Sequence, residues 1–380
     1  MPAVHDVSDP RCRKIDVIDH RQHQDGMTFP RAICVGFVAL AICFGMFAAA
    51  PAASITYEPK PGAGAGRHLV FLTGDEEYRG EEGLPMLAKI LSQRHGFKCT
   101  VLFALDPDGT INPDNNTSLA GADALDTADG IVMALRFRQW PDRTMKHFAD
   151  AVARGVPIIA VRTSTHAFRF PANSATSYMA YNNFGREVLG ENWVSHWGAN
   201  RRGATRGVVE PGAEADPILR GVTDVFGDSG VYETHPVAGA KILMRGYVLK
   251  GMKTTNEPDS YRKKRKSDGQ EQSINDPAMP IAWTRIHRPG TGKPNRVFCT
   301  TMGAATDLAN EGLRRMVVNA VLWGFELEIP ARTDVRFVDP YVPAPYAFKG
   351  YRRGLTPTDH ALGKALRAGA PVPAPAEKKK

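Results

Sequence analysis

Short, nearly continuous apolar runs alternate with amphipathic stretches over most of this chain. The runs at 67–73, 97–103, 129–135 and 156–161 are rich in Val, Ile, Leu and Phe, the pattern of strands buried on both faces. Between the first two, Leu84, Leu87, Ala88, Ile90 and Leu91 recur at helical spacing over 83–95, and Gly96 ends the helix. Pro141 opens a second helix at the position where a missing N–H costs least, with Met145, Phe148, Ala149 and Val152 as its buried face. Alternation of this kind predicts an α/β fold, with a mainly parallel sheet covered on both faces and joined by right-handed crossovers. Two further strands follow at 280–284 and 296–301. A closing helix over 308–324 carries Leu313, Met316, Val317, Ala320, Val321 and Trp323 on its apolar stripe.

Outside these elements the pattern breaks down. Residues 171–230 have no clean period, as expected of long loops that shape a site. Residues 253–277 are polar and predict a surface insertion. The Pro- and Gly-rich stretch 54–66 reads as a linker, 67–330 as the folded domain, and 331–380 as a Pro-rich basic tail packed on the domain only in part. From 32 to 53 the chain is small and apolar behind Arg31, and small residues close the run. This pattern predicts a secretory signal, with Met27 as a more conventional start, or else an uncleaved anchor, since about 22 residues can span a bilayer. Either way the domain is expected in the periplasm or outside the cell, in contact with a membrane only through that segment.

Composition narrows the chemistry. A chain of 380 residues with 43% apolar content can bury one large core. The formal charge of +8 is concentrated in 262–266 and 378–380, read as solvated loop and tail. No nucleic-acid-binding pattern accompanies it, so no nucleic-acid partner is expected. Five cysteines are too few and scattered for a disulfide framework, and Cys99 and Cys299 fall in strand-like runs where a buried thiol is inert. There is no phosphate-binding glycine loop.

Ligands of open α/β sheets bind outside the carboxyl ends of the strands, so the turns that end the predicted strands become the candidate site. The turn 74–79 supplies Asp75, Glu76, Glu77 and Tyr78, and 136–138 supplies Arg136 and Arg138. The turn 162–166 supplies Arg162, Thr163 and His166. Carboxylates accept from hydroxyls and arginines donate to them, which suits a neutral polyhydroxylated ligand. His166, His196 and His235 sit in polar, loop-like settings. The first two are expected as general acid/base and His235, the weakest of the three, as a ligand contact. Trp193 and Trp197 bracket Ser195-His196, and Trp197 is expected to stack on a sugar ring. No cofactor is expected. A divalent metal held by the histidines with Asp75 or Glu76 would need ligands drawn from far apart, with no local ligand pair. A homo-oligomer is left open.

The run 157–166, the segment Gly190-Glu191-Asn192-Trp193-Val194-Ser195-His196, the end 296–303 and the helix 314–323 together resemble the ThuA-like (trehalose-utilisation) proteins, over residues 67–330. The turn 74–79 and Thr356-Pro357-Thr358-Asp359-His360 look like a secreted branch of that family, from bacteria rich in sugar-degrading proteins. The resemblance implies a flavodoxin-like, three-layer sandwich similar to class I glutamine amidotransferases, and a role in carbohydrate metabolism. Where that superfamily delivers a cysteine nucleophile, and ThuA-like proteins often a histidine, this chain has Arg162, so cysteine-dependent amidotransferase chemistry is excluded. A Thr163 or Ser164 nucleophile activated by His166 is the acyl-transfer option. The expectation is an exported protein that binds or transforms a sugar or sugar derivative, as a hydrolase or isomerase if it is an enzyme. The alternative is a non-catalytic carbohydrate-binding module, or an accessory protein that docks a partner through 262–266.

Overall fold

The computed structural model describes residues 52–364 and Leu366; the segment 1–51, which carries most of the expected signal or anchor, lies outside them. The strands are β1 (Ser54–Tyr57), β2 (His68–Gly74), β3 (Lys98–Leu102), β4 (Gly130–Leu135), β5 (Ile158–Ala160), β6 (Ser195–His196), β7 (Thr205–Val209), β8 (Phe226–Gly227), β9 (Tyr232–Glu233), β10 (Lys241–Val248), β11 (Arg262–Lys264), β12 (Glu271–Ser273), β13 (Met279–His287) and β14 (Asn295–Thr300). The helices are α1 (Gly80–His95), α2 (Asp142–Ala153) and α3 (Glu311–Gly324).

Ten strands form one sheet in the order β1-β3-β2-β4-β5-β14-β13-β10-β7-β8. Its heart, β3-β2-β4-β5-β14, is parallel throughout. Taken in chain order these five strands lie 2-1-3-4-5, the flavodoxin-like order, whose topological switch point falls between β2 and β4. Antiparallel pairing extends the sheet through β1 on one side and β13, β10, β7 and β8 on the other.

Strand alternation sends successive side chains to opposite faces and builds two cores. Phe71, Val132 and Ile159 pack with α1 and α3 on one face. Val70, Leu72, Ile131, Met133 and Ile158 pack with α2 on the other. The predicted three layers are therefore present. Cap chemistry fixes the helix ends: Gly96 takes the left-handed conformation (φ 81°) after α1, and the Asn310 side chain accepts from Leu313 N at 2.9 Å to start α3.

Two segments differ from the sequence expectation, and the part of the tail that packs on the domain is defined between them. Residues 54–57, read as linker, form an edge strand antiparallel to β3. The Pro-rich stretch beyond 331 is a strap tied down along its course to His360. Arg314 Nε donates to Val335 O at 3.1 Å, Lys89 Nζ to Asp339 at 2.6 Å, Ala344 N to Glu82 Oε2 at 2.8 Å, and Tyr57 OH to His360 O at 2.8 Å. Within the basic insertion, Lys263 turns inward from the β11–β12 hairpin and donates to the carbonyls of His196 (2.7 Å) and Trp197 (2.9 Å).

Candidate functional site

At the end of β2 the Asp75 carboxylate closes the turn on itself, with Oδ1 accepting from Glu77 N at 2.7 Å and Tyr78 N at 2.9 Å. Its Oδ2 accepts from the Thr163 hydroxyl at 2.6 Å, which ties this turn to the loop after β5. Glu76 bridges Arg136 and Arg138, so the acidic turn does meet the basic one across the switch point. Arg138 is buried and also donates to Pro113 O at 3.1 Å, so it anchors Glu76.

Arg162 stands inside the protein as a pillar. Its guanidinium lies 4.3 Å from the Tyr78 ring and 4.0 Å from the Tyr232 ring, and it donates to Gly230 O (2.9 Å) and Thr301 O (2.7 Å). Delocalised charge between two aromatic faces, with two carbonyl acceptors, is an arrangement that arginine alone can fill. Asp75, Arg138, Arg162 and Thr163, expected as ligand contacts, are nearly fully buried and frame the site from behind.

The two-stranded β6–β9 pair carries the opposite wall. His196 pairs with Tyr232 and Ser195 with Glu233, so alternation points His196 and Tyr232 to one side and Ser195 and Glu233 to the other. His235 belongs to the far side: its Nε2 lies 3.5 Å from Glu233, which also accepts from Ser195 Oγ at 2.9 Å. The structure therefore removes His235 from the site. It also corrects the tryptophan. Trp197 is wholly buried, with Nε1 donating to Ile274 O at 2.7 Å, and has no face to offer a ligand. Trp193 is the one that reaches the site, its ring centred 5.2 Å from His166 and 6.1 Å from His196.

The histidines come together through these rings, and their electrostatics oppose the acid/base role expected of them. Burial, with Arg136, Arg162 and the neighbouring His196, holds His166 well below its ordinary value. Burial, with Arg162, Lys263 and Arg136, pushes His196 down to about 3. Both are neutral at pH 7. Three buried carboxyls, Glu77, Glu81 and Asp228, are raised to about 7, and Glu77 is the one in the candidate turn. Burial and the adjacent Asp75 raise it to about 7 against the pull of Arg136, Arg162 and Arg201, and Arg201 Nη2 lies 3.8 Å away. Burial and Asp307 raise Asp228 as well. Tyr346 of the strap stacks on Tyr78 at 5.0 Å and donates to the backbone O of Asp228 at 3.0 Å.

The acyl-transfer option fails on geometry. The Thr163 hydroxyl is committed to Asp75, and Ser164 Oγ donates to Met133 O at 2.9 Å. His166 Nδ1 has Thr165 Oγ1 as its neighbour, at 3.3 Å. Cys99 and Cys299 are buried free thiols. Among the described residues, no cluster of three or more His, Cys, Asp or Glu side chains is arranged to hold a metal ion.

Several buried polar atoms lack any hydrogen-bond partner. His196 Nδ1, Trp193 Nε1 and Asn200 Oδ1 are on one loop, and Arg162 Nε is behind it. A buried polar group without a partner costs about 1–3 kcal/mol, so each of these atoms is one that a water or a ligand can complete; Arg79 and Glu81 carry four more such atoms elsewhere in the fold. Sequence reasoning named Glu77 in its turn and Trp193 in its loop, without assigning either to the ligand. It missed Tyr232, Asn200, Arg201 and Tyr346.

No protein-family model and no curated protein matches the chain. Among solved structures it is similar to a protein from Parabacteroides merdae ATCC 43184 described as ThuA-like, at 12% identity with a TM-score of 0.42, over 68% of this chain and 89% of that one. PurLQS from Thermotoga maritima follows at 10% identity and a TM-score of 0.34, over 68% of this chain and 98% of that one. The exo-β-1,4-mannosidase Op5Man5 from Opitutaceae bacterium strain TAV5 matches at 12% identity and a TM-score of 0.24, over 70% of this chain and 36% of that one.

Proposed function

We propose that this chain binds a neutral, polyhydroxylated sugar or sugar derivative at the carboxyl edge of its sheet and moves a proton on it through Glu77. The observation that carries the reading is the set of partnerless buried atoms. Trp193 Nε1 can only donate, Asn200 Oδ1 can only accept, and a neutral imidazole can do either at His196 Nδ1. A ligand that satisfies all three must both donate and accept, as hydroxyl groups do. A carboxylate would leave the acceptor unpaired.

Glu77 fits the proton-transfer role because a carboxyl that titrates near 7 gives or takes a proton readily at neutral pH. His166 and His196, held neutral, would orient hydroxyls by hydrogen bonding. The family resemblance of 67–330 and the apolar segment 32–53 support the wider reading, an exported protein of carbohydrate metabolism. Incubation of the full chain with mono- and disaccharides, followed by NMR of the sugars, tests for turnover. Conversion that is lost in Glu77→Gln, with binding retained, supports the catalytic reading. Binding without conversion of any bound sugar leaves a carbohydrate-binding module and contradicts the role of Glu77.

A further inference from the structure

Arg201 is held in an unusual posture. Its backbone is left-handed (φ 63°), a conformation that a residue with a side chain keeps only where its surroundings impose it. Among the described residues its guanidinium donates no hydrogen bond. It lies 3.8 Å from Glu77 Oε1 and over the ring of Tyr346, 5.6 Å from the ring centre. With 33% of the Arg201 side chain exposed, an ion pair this loose does not by itself keep an arginine out of water.

Tyr346 supplies a backing surface from the strap. It is buried, its hydroxyl donates to Asp228 O at 3.0 Å, and its ring stacks at 5.0 Å on Tyr78, the residue after Glu77. The backbone on either side is pinned: Ala344 N donates to Glu82 Oε2 at 2.8 Å, and Ala347 O accepts from the buried Arg79 at 3.0 Å. An aromatic face fixed in this way attracts a guanidinium and restricts where it stands. We propose that Tyr346 is a positioning residue that holds Arg201 against Glu77, so that the strap, remote in sequence, governs the group that moves the proton. This rests on the role given to Glu77 above and adds to it the residue that controls that role.

The charged and titratable groups around Glu77 are Asp75 and Tyr78 on its own turn, Arg136 after β4, Arg162 after β5, Arg201 after β6 and Tyr232 on β9. Arg162 is locked by two carbonyls and two rings, and Arg136 is paired with Glu76, whereas Arg201 depends on Tyr346. An opposite charge beside a carboxyl lowers its proton affinity, and so does water that reaches a buried carboxyl. Loss of Arg201 therefore raises the Glu77 midpoint, while a general loosening of the site lowers it. The sign separates positioning from packing.

The test follows the Glu77 carboxyl carbon by NMR across about pH 5 to pH 9 in the isotope-labelled full chain, with the signal assigned by its loss in Glu77→Gln. Tyr346→Leu keeps apolar bulk without the ring face. It should raise the midpoint from near 7 by about half a pH unit, a modest step because solvent screens Arg201. Arg201→Gln should raise it equally, the double variant by no more than either single one, and Tyr346→Phe, which keeps the ring, should leave it in place. A midpoint that stays put or falls in Tyr346→Leu overturns the inference, as does a double variant in which the two shifts add. Should Tyr346→Leu not fold, an unmoved midpoint in Arg201→Gln, a partly exposed position, overturns it alone. A wild-type midpoint near 4.5 overturns the role of Glu77 itself and the inference with it, a result distinct from the others.

Discussion

The Thr163 hydroxyl donates to Asp75 Oδ2 across 2.6 Å, and with that one bond the loop after β5 is locked to the turn after β2. Asp75 uses its other oxygen to hold the backbone N–H groups of Glu77 and Tyr78, so the pair sets where Glu77 stands. Thr163→Val keeps the shape and removes the donor. It should cost about 1–3 kcal/mol in urea unfolding, since the buried carboxylate loses a partner. It should also weaken ligand binding, although Thr163 does not face the ligand. Unchanged stability would mean that the turn holds itself.

Glu77 gives the protein a pH signature. Its folded value of about 7 lies above its ordinary 4.5, so between those values the native state keeps a proton that the unfolded chain has released. Its contribution to stability is therefore fully present below 4.5 and is lost as pH rises through 7. Glu77→Gln abolishes that dependence. Relative to wild type, the variant should gain on the order of 2 kcal/mol between pH 5 and pH 8. His196 has the opposite sign: depressed from 6.5 to about 3, it stabilises the fold above 6.5 and that contribution is lost as pH falls through 3. Paired urea melts at pH 5 and pH 8 check the first prediction, and an identical offset at both would refute it.

The two tryptophans should separate cleanly. Trp197→Ala empties a core position and removes a buried N–H donor, and should cost about 3–5 kcal/mol. Trp193→Ala should cost well under half of that and abolish the response to ligand. Melting curves with and without sugar read both effects, and a ligand response that survives in Trp193→Ala would remove it from the site.

Arg162→Lys preserves the charge but cannot span Gly230 O and Thr301 O while stacking between Tyr78 and Tyr232. The substitution should destabilise the fold by at least about 2 kcal/mol. A melting temperature within a degree of wild type would show that charge alone suffices.

The parallel heart of the sheet was legible because Val70, Ile131 and Ile158 lie in runs too apolar for any other setting. The strand ends then followed from topology, which brought Glu76 to Arg136 and Arg138 as expected. What stayed hidden depended on orientation or on distant contacts. Nothing local distinguishes Trp193 from Trp197 as the one facing the site; the β6–β9 register and the core behind Trp197 decide it. The strap has no apolar period of its own, and hydrogen bonds to Glu82, Arg79 and Arg314 hold it, so the place of Tyr346 against Tyr78 could not be read from sequence. Histidine in a polar loop suggested acid/base chemistry. Burial among arginines reversed that, and the groups raised toward neutrality are the carboxyls of Glu77, Glu81 and Asp228.

A sugar that completes the partnerless atoms of the 193–200 loop should stabilise the native state. Thermal unfolding of the full chain across a panel of mono- and disaccharides, in wild type and Asn200→Ala, tests it most directly, because a ligand bound only by the native state raises the melting temperature in proportion to its saturation. A sugar-dependent rise in wild type that is lost in Asn200→Ala is the predicted result. A cooperative transition that no sugar moves would overturn sugar binding at this loop.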